Sequence, residues 1–294
     1  MINKDTKVLI QGITGREASE KLPEMQSYGT EVVAGVTPGK SGQKVEGVPV
    51  YNTVKKAKEQ HPEINASIVY VPAFAAKDAT LEAIQNNIQL INIITENIPV
   101  KDVWEIHRKA QETQTTVVGP TSVGMINPHT KTKLGPIGGS QPEKSYKKGS
   151  IGIVSKSGGM TTETAHVLKQ NGYGVSKAID IGGDRIALST FREILKMFQN
   201  DPKTDAVVMF GEQGGTYENQ AATMLKNREF TKPIVAFIAG EFTENMPSKQ
   251  FGHAGAIIRQ EQDQPSYKKQ RLREAGAQIA EIHHKIPKKL DECI

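Results

Sequence analysis

The chain has 294 residues but only one cysteine, Cys293, which lies beside the carboxyl end. A single cysteine excludes an internal disulfide, the crosslink typical of small secreted domains. Apolar runs are short as well, and none approaches the roughly 20 residues that a transmembrane helix needs. Residues 1–5 also lack the apolar stretch of a secretory signal. We therefore predict a cytoplasmic protein with no membrane partner.

Aromatic residues are scarce too, at 5% of the chain. The formal net charge is +5 and the sequence pI is about 9.0, a balance that suits an anionic partner. The lysines, however, are spread along the chain, and no basic run is interleaved with aromatic residues as in many nucleic-acid-binding surfaces. We predict no nucleic-acid partner.

Signatures of nucleotide and metal sites are missing as well. The sequence has no G-x-x-x-x-G-K-S/T phosphate loop, and the full G-x-G-x-x-G dinucleotide fingerprint is absent. His283 and His284 are adjacent, and neighbours on a helix point apart, so we expect them to be solvent-exposed rather than to bind a metal. The sequence predicts neither a metal site nor a nucleoside triphosphate site of its own.

What the chain does contain is an alternation of apolar strands and helical stretches over residues 1–124. A strand at residues 7–11, a glycine turn at 12–15, a helix through Tyr28 and a strand at 31–36 make a βαβ unit. Further apolar strands follow at residues 66–71, 90–94 and 115–119. The pattern predicts a parallel sheet whose strand ends form one crevice. The glycine turn suits either a phosphate site or a purely structural role, and spacing alone favours neither.

The middle of the chain changes in composition. Residues 125–149 are rich in Gly, Pro, Lys and Ser, which is typical of a linker. Alternation of strands and helices then resumes. We predict a first α/β domain at residues 1–124, a linker at 125–149 and a second α/β domain at 150–294.

Three polar features of the second domain lie where strands end. Ser157 and Gly158 precede a helical stretch at residues 161–170, where free N–H groups favour an anion, although an ordinary N-cap fits equally well. Glu212 follows a buried strand and fits a solvated turn. His253 stands among small residues in a loop beyond another strand, where open α/β sheets place their chemistry. On spacing alone, an ordinary loop histidine is the simpler interpretation.

Four stretches in the same order resemble the succinate–CoA ligase α-subunit family. They are residues 11–15, 35–40, 181–184 and 252–258, and together they span nearly the whole chain. The resemblance implies a Rossmann-like CoA-binding domain followed by a flavodoxin-like ligase domain. It also implies a reaction in which a nucleoside triphosphate and an acid give an acyl phosphate, a histidine carries the phosphoryl group, and CoA attacks the acyl carbon.

The resemblance assigns roles to individual residues. His253 would be the phosphorylated histidine, Glu212 would hydrogen-bond to it, Ser157 and Gly158 would bind phosphate, and Thr162 would lie near the substrate. Contacts with CoA are implied for Thr14, Gly15, Arg16, Glu17, Lys40, Ile94, Thr95 and Glu96.

The resemblance also implies partners. CoA and a small dicarboxylic acid would be the substrates of this subunit. ATP or GTP with Mg²⁺ is expected on a separate β subunit, in an αβ or α2β2 assembly. The missing triphosphate signature of this chain agrees with that division.

Some residues depart from the family pattern. Residues 16–19 stand where a glycine is usual, and residues 119–124, 157–160 and 181–185 look more like ATP-citrate lyase, a relative in the same superfamily. Succinate enzymes usually carry a tyrosine where this chain has Thr162. Succinate is the expected acid, and citrate or another dicarboxylate is the alternative. A non-catalytic CoA-binding regulatory protein is a third hypothesis, disfavoured because the histidine and the glutamate are both present.

Overall fold

The computed structural model describes residues 2–246 and 249–294. The chain divides into two compact units, Met1–Pro142 and Glu143–Ile294, and each contains a sheet of mainly parallel strands. Each unit is described below by itself.

The first unit has a seven-stranded sheet in the order β3-β4-β2-β1-β5-β6-β7. Its strands are β1 (Lys7–Gln11), β2 (Glu31–Val36), β3 (Lys44–Val45), β4 (Val48–Tyr51), β5 (Ala66–Val69), β6 (Leu90–Ile93) and β7 (Thr116–Val118). Its helices are α1 (Arg16–Tyr28), α2 (Val54–Gln60), α3 (Ala73–Gln85) and α4 (Val100–Thr113). All neighbours pair in parallel apart from the β3–β4 hairpin. Without β3 this is the Rossmann order, so the predicted fold is confirmed.

The central strand of this sheet explains why the unit folds. Val8, Leu9 and Ile10 of β1 are fully buried, because helices cover both faces of a parallel sheet and its strands become continuous apolar runs. The strand order reverses between β1 and β5, and the loops that follow these two strands diverge there. A crevice at this switch point is the general ligand position in open α/β sheets.

The segment predicted to be a linker is partly ordered into strands. β8 (Met125–Asn127) and β9 (Thr132–Leu134) form an antiparallel hairpin. Lys133 is fully buried, and its ammonium donates to the carbonyl oxygens of Ile137 and Gly139, at 3.3 and 2.6 Å. The Lys133 N–H donates to Thr30 Oγ1 at 2.9 Å. The structure therefore differs from the predicted linker at 125–149: most of it belongs to the first compact unit, which ends at Pro142.

In the second unit the parallel strands run in the order β14-β13-β12-β10-β11. They are β10 (Lys148–Ser155), β11 (Val175–Asp180), β12 (Ala206–Gly211), β13 (Ile234–Ile238) and β14 (Gln278–Ile279). The helices are α5 (Gly158–Gln170), α6 (Phe191–Gln199), α7 (Tyr217–Lys226), α8 (Pro265–Glu274) and α9 (Ile286–Asp291). Counted from β10, the order is 2-1-3-4-5, which is that of flavodoxin. The predicted flavodoxin-like domain is confirmed.

Helix α6 shows how local sequence fixes an element of this unit. The Thr190 N–H donates to the Glu193 carboxylate at 2.9 Å, and Thr190 Oγ1 accepts the N–H of Arg192 at 3.2 Å. This capping box starts the helix. One apolar face then packs inward, with Phe191, Ile194, Leu195 and Phe198 buried. Within residues 2–246 and 249–294, no helix is long and apolar enough to cross a membrane.

Candidate active site

His253 and Glu212 form a hydrogen-bonded pair at the carboxyl edge of the second sheet. Glu212 immediately follows β12, and His253 lies in the loop after the neighbouring strand β13. His253 Nδ1 is 2.8 Å from Glu212 Oε2. An ionised carboxylate can only accept, so Nδ1 carries a proton, and in the neutral imidazole Nε2 keeps its lone pair. The structure thus brings together two residues that are 41 positions apart in the sequence.

The electrostatics of His253 follow from this pair. The hydrogen bond from Nδ1 to Glu212 raises the pKa of His253 above 6.5, with support from the negative charge of Asp180. Burial and the positive charge of Lys156 act in the opposite direction. The side chain is still 32% exposed, so the ring is oriented by the protein and accessible to a substrate.

Small residues hold the His253 loop close to the sheet. The Gly255 N–H donates to the Gly183 carbonyl at 3.1 Å, and Gly183 follows strand β11. A Cβ at position 214 would come within 2.2 Å of the Gly255 carbonyl oxygen. The small residues around His253 therefore allow backbone to pack against backbone.

Two lysines and a second glutamate surround Glu212, and no motif in the sequence pointed to them. Lys156 Nζ lies 3.4 Å from Glu212 Oε1 and 3.7 Å from Glu218 Oε1. The Lys268 ammonium donates to Glu218 Oε2 and to the carbonyl oxygens of Glu212 and Gly214, each at 2.7 Å. Lys156, Glu218 and Lys268 are buried. Their sequence separations of up to 112 positions explain why spacing could not reveal the cluster.

Ser157 and Gly158 lie at the start of α5, directly after Lys156. Ser157 is the N-cap residue, yet its side chain does not cap the described helix. The free N–H groups and the positive end of the helix dipole are thus available to an anion. A Cβ at Gly159 would meet no atom of the described residues within 4 Å, so there is open space beside the helix start.

Thr162 lies further along α5, and its hydroxyl is already engaged. Thr162 Oγ1 is 3.1 Å from the hydroxyl of Tyr146, which is buried. This contact ties the helix to the segment before β10. It gives Thr162 a structural partner and leaves its proposed place near the substrate as a prediction.

A cavity of about 380 Å³ lies beside the His253 loop. Ala254 and Gly255 of the loop contribute to its wall, as do the exposed residues Arg185 and Arg259. Neither guanidinium makes an ion pair with a carboxylate among the described residues, although Asp263 also lines the cavity. Guanidinium groups pair bidentately with carboxylates and similar anions.

A larger cavity of about 500 Å³ occupies the switch point of the first sheet. Six of the eight residues implied as CoA contacts line it: Gly15, Arg16, Glu17, Ile94, Thr95 and Glu96. Tyr70, Val71 and Pro72, which follow β5, complete one wall, although no contact with CoA was predicted for them. Burial raises the pKa of Tyr70 far above its usual value, so this phenol stays protonated even at alkaline pH.

Thr14 and Lys40 are outside the lining of this cavity but belong to the adjoining turns. Thr14 Oγ1 is 3.2 Å from Thr37 Oγ1, which links the glycine turn to the loop after β2. Asn52 Oδ1 accepts the N–H groups of Gly39 and Ser41, at 2.9 and 3.2 Å. The side chain of Lys40, between them, is exposed. Asn52 therefore fixes the loop that presents Lys40.

Metal ligands are not grouped anywhere in the described ranges: no set of three or more His, Cys, Asp or Glu side chains is placed to hold an ion. His283, predicted to be exposed, is half-buried instead. Its Nε2 is 2.9 Å from Thr164 Oγ1, and its ring packs edge-on against Phe210 and Phe237.

Comparison with known proteins places both units in one family. Residues 3–97 match the CoA binding domain and residues 154–278 match the CoA-ligase domain. The ADP-forming succinate–CoA ligase subunit alpha of Aquifex aeolicus is 44% identical, and the match covers 97% of this chain and 92% of that protein. The corresponding subunit alpha 1 of Archaeoglobus fulgidus is 43% identical, and the match covers 96% of this chain and 93% of that protein. An ADP-forming sulfoacetate–CoA ligase subunit from Acholeplasma sp is 42% identical, and the match covers 99% of this chain and 97% of that protein.

Solved structures agree with the sequence relatives. ATP citrate lyase from Methanosaeta concilii, in complex with (3S)-citryl-CoA, superposes on 99% of this chain with a TM-score of 0.92 and 26% identity. This chain spans 50% of that longer polypeptide. The fold and the sequence agree on one assignment, and it confirms the resemblance: the chain belongs to the succinate–CoA ligase α-subunit family of acid–thiol ligases.

Proposed function

We propose that this chain is the α subunit of a nucleoside-triphosphate-dependent acid–CoA ligase that carries phosphate on His253. The observation that supports it most directly is the 2.8 Å contact between His253 Nδ1 and Glu212 Oε2. In the neutral imidazole this contact places the proton on Nδ1 and leaves Nε2 unprotonated, and the ring is partly exposed. These are the properties that a nucleophilic imidazole needs.

The phosphoryl step balances without proton loss. Nε2 attacks phosphorus, the bond to the donor oxygen breaks, and that oxygen leaves with the electron pair. The proton on Nδ1 stays, so the phosphorylated ring carries positive charge, which the Glu212 carboxylate offsets. The start of α5 at Ser157 and Gly158 supplies the Gly158 N–H and the Ser157 hydroxyl for the phosphate oxygens, since the Ser157 N–H is donated to Ser155 Oγ at 2.9 Å.

CoA would bind the first unit at the switch-point cavity, with Lys40 and the turn at Thr14 completing the site. The match of residues 3–97 to the CoA binding domain supports this location. Lys40 suits a phosphate of CoA, because lysine is a compact positive charge on a flexible stem.

The triphosphate and Mg²⁺ would bind a separate β subunit, in an αβ or α2β2 assembly. Two findings support this division. The relatives are named as subunits, and ATP citrate lyase places a fold like this one within a polypeptide of twice the length. The remaining half of the machinery would therefore come from another chain.

Succinate is the acid we propose first, because several relatives at 43–46% identity are named for it. The cavity with Arg185 and Arg259 suits an acid that carries a second anionic group. Two other acids of that kind are sulfoacetate and citrate, named for the Acholeplasma relative and for ATP citrate lyase. Thr162 would lie near the acid.

An assay of acid-dependent CoA thioester formation tests this proposal. The chain would be purified with its β partner, and succinate, malate, citrate, sulfoacetate and butyrate would be supplied with ATP or GTP. We expect thioester with succinate and none without the β partner. CoA binding without thioester from any acid would show the non-catalytic alternative to be correct.

A further inference from the structure

The buried charges around Glu212 have no part in the phosphoryl step described above. Lys156 is 2% exposed, and Glu218 and Lys268 are fully buried. Burying charged groups costs several kcal/mol each unless they are paired, and two lysines here face two glutamates. A cluster of this kind beside a nucleophile is expected to serve that nucleophile.

Glu212 divides its two carboxylate oxygens between opposite partners. Oε2 accepts from His253 Nδ1 at 2.8 Å, whereas Oε1 lies 3.4 Å from the Lys156 ammonium. The carboxylate is therefore engaged at both oxygens, by a hydrogen bond at Oε2 and by an ion pair without a hydrogen bond at Oε1. Rotation of Glu212 would break one contact or the other, so Lys156 restricts the direction in which Glu212 presents Oε2 to the imidazole.

Glu218 fixes the same residue through its backbone. Glu218 Oε1 accepts the Glu212 N–H at 3.2 Å and also faces Lys156 at 3.7 Å. A Cβ at Gly211 would come within 2.8 Å of Glu218 Cγ, so glycine at the end of β12 permits this approach. Lys268 then binds the Glu212 carbonyl and the second oxygen of Glu218.

We infer that Lys156 and Glu218 are positioning residues for His253, and that their opposite charges set the pH range in which Nε2 is available to accept phosphate. This inference rests on the proposed function of His253. Lys156 does not bind the phosphate itself, because its ammonium is enclosed between Glu212, Glu218 and the ring of Tyr217, 5.9 Å away.

The sign of each effect follows from the charges that face His253. Glu212 and Asp180 favour the protonated imidazole, and Lys156 disfavours it. Glu218 acts mainly by neutralising Lys156 and Lys268. Without the Lys156 charge, the imidazole should hold its second proton to higher pH. Without the Glu218 charge, the positive charges of Lys156 and Lys268 are no longer neutralised by Glu218. The imidazole should then lose its second proton at lower pH.

The experiment measures the initial rate of His253 phosphorylation from labelled triphosphate across pH, in the αβ complex. Lys156→Met should move the acid limb of the profile upward by about one pH unit, since the positive charge paired with Glu212 is lost. Glu218→Gln should move it downward, because glutamine can still accept the Glu212 N–H while the negative charge is gone. Lys156→Arg should return the limb close to its wild-type position.

A matched control is Lys177→Met. It removes a largely buried lysine of strand β11 that pairs with Asp201 at 2.5 Å. It should leave the pH profile unchanged. Shifts of the same sign in Lys156→Met and Glu218→Gln, or an even loss of rate at all pH values, would overturn the inference. If Lys156→Met does not fold, the direction of the Glu218→Gln shift decides alone. Absence of label at His253 in the wild type would instead reject the proposed function.

Discussion

The imidazole of His253 lies directly against the backbone of Gly183. A Cβ at position 183 would come within 2.2 Å of His253 Cγ and within 2.5 Å of Nδ1. Any side chain at this position would therefore displace the ring from Glu212. The glycine that follows strand β11 is thus part of the geometry that orients the nucleophile.

Gly183→Ala should therefore impair phosphorylation much more than it impairs folding. A displacement of about 1 Å at a reacting group can cost about 100-fold in rate, and we expect a loss of that order in the labelling rate of His253. CoA binding by the first unit, measured by calorimetry, serves as the internal control and should not change. A labelling rate equal to the wild type would show that the ring does not need this position.

Removing the carboxylate of Glu212 should change how stability depends on pH. The Glu212 hydrogen bond raises the folded-state pKa of His253 above its unfolded value. A group shifted upward contributes stability that is complete below its unfolded pKa of about 6.5 and is lost as pH rises through the folded pKa. The free energy of unfolding of Glu212→Gln should thus fall furthest below that of the wild type at about pH 6. The difference between the two should become smaller towards about pH 9. Urea denaturation across this range measures the difference in the free energy of unfolding. A difference that stays constant or grows with pH would contradict the pairing of Glu212 with His253.

Lys40→Ala should weaken CoA binding. One charge-assisted contact with phosphate is worth about 1.5–3 kcal/mol, or roughly 10- to 150-fold in Kd. Lys44, an exposed lysine on the neighbouring strand β3, provides the matched control, and Lys44→Ala should bind CoA normally. Asn52→Ala should weaken binding as well, because Asn52 anchors the N–H groups on both sides of Lys40. Equal affinities for Lys40→Ala and Lys44→Ala would remove Lys40 from the site.

The two arginines beside the His253 loop should select for a second anionic group on the acid. Arg185→Ala and Arg259→Ala should raise KM for succinate, because a bidentate partner for carboxylate is lost. The rate with butyrate, which has no second carboxylate, should change little. Comparing kcat/KM for succinate, sulfoacetate, citrate and butyrate in each variant tests this. Equal losses of kcat/KM for butyrate and succinate would show that the arginines do not contact the second anionic group. A wild-type preference for citrate would show that citrate, not succinate, is the acid.

Much of the fold was predictable because the central strands are apolar runs that end at glycine or a polar turn. The predicted bounds of β1 and β2 agree with the structure, and α1 ends at Tyr28 as expected. Strand β11 was not predicted, since its buried face includes polar side chains. Ser176 is fully buried and shares a hydrogen bond with Thr204 at 2.7 Å. The hairpins β3–β4 and β8–β9 were missed because strands of two to four residues carry too little periodicity.

The candidate site was predictable only where a motif carried it. His253 and Glu212 came from the family resemblance, and the structure places them in contact. Lys156, Glu218 and Lys268 carry no motif: each is an ordinary charged residue whose significance lies in being buried beside the others. His283 illustrates the same limit, because packing against Phe210 and Phe237 half-buries a side chain that the sequence predicted to be exposed.

Mapping of labelled phosphate tests the central claim most directly. The αβ complex would be incubated with γ-labelled triphosphate, and the acid-labile label would be located by peptide mapping in wild type, His253→Ala and Glu212→Gln. We expect label at His253 in the wild type, none in His253→Ala, and a much reduced rate in Glu212→Gln. Acid-labile label that persists at full rate in His253→Ala would contradict the account.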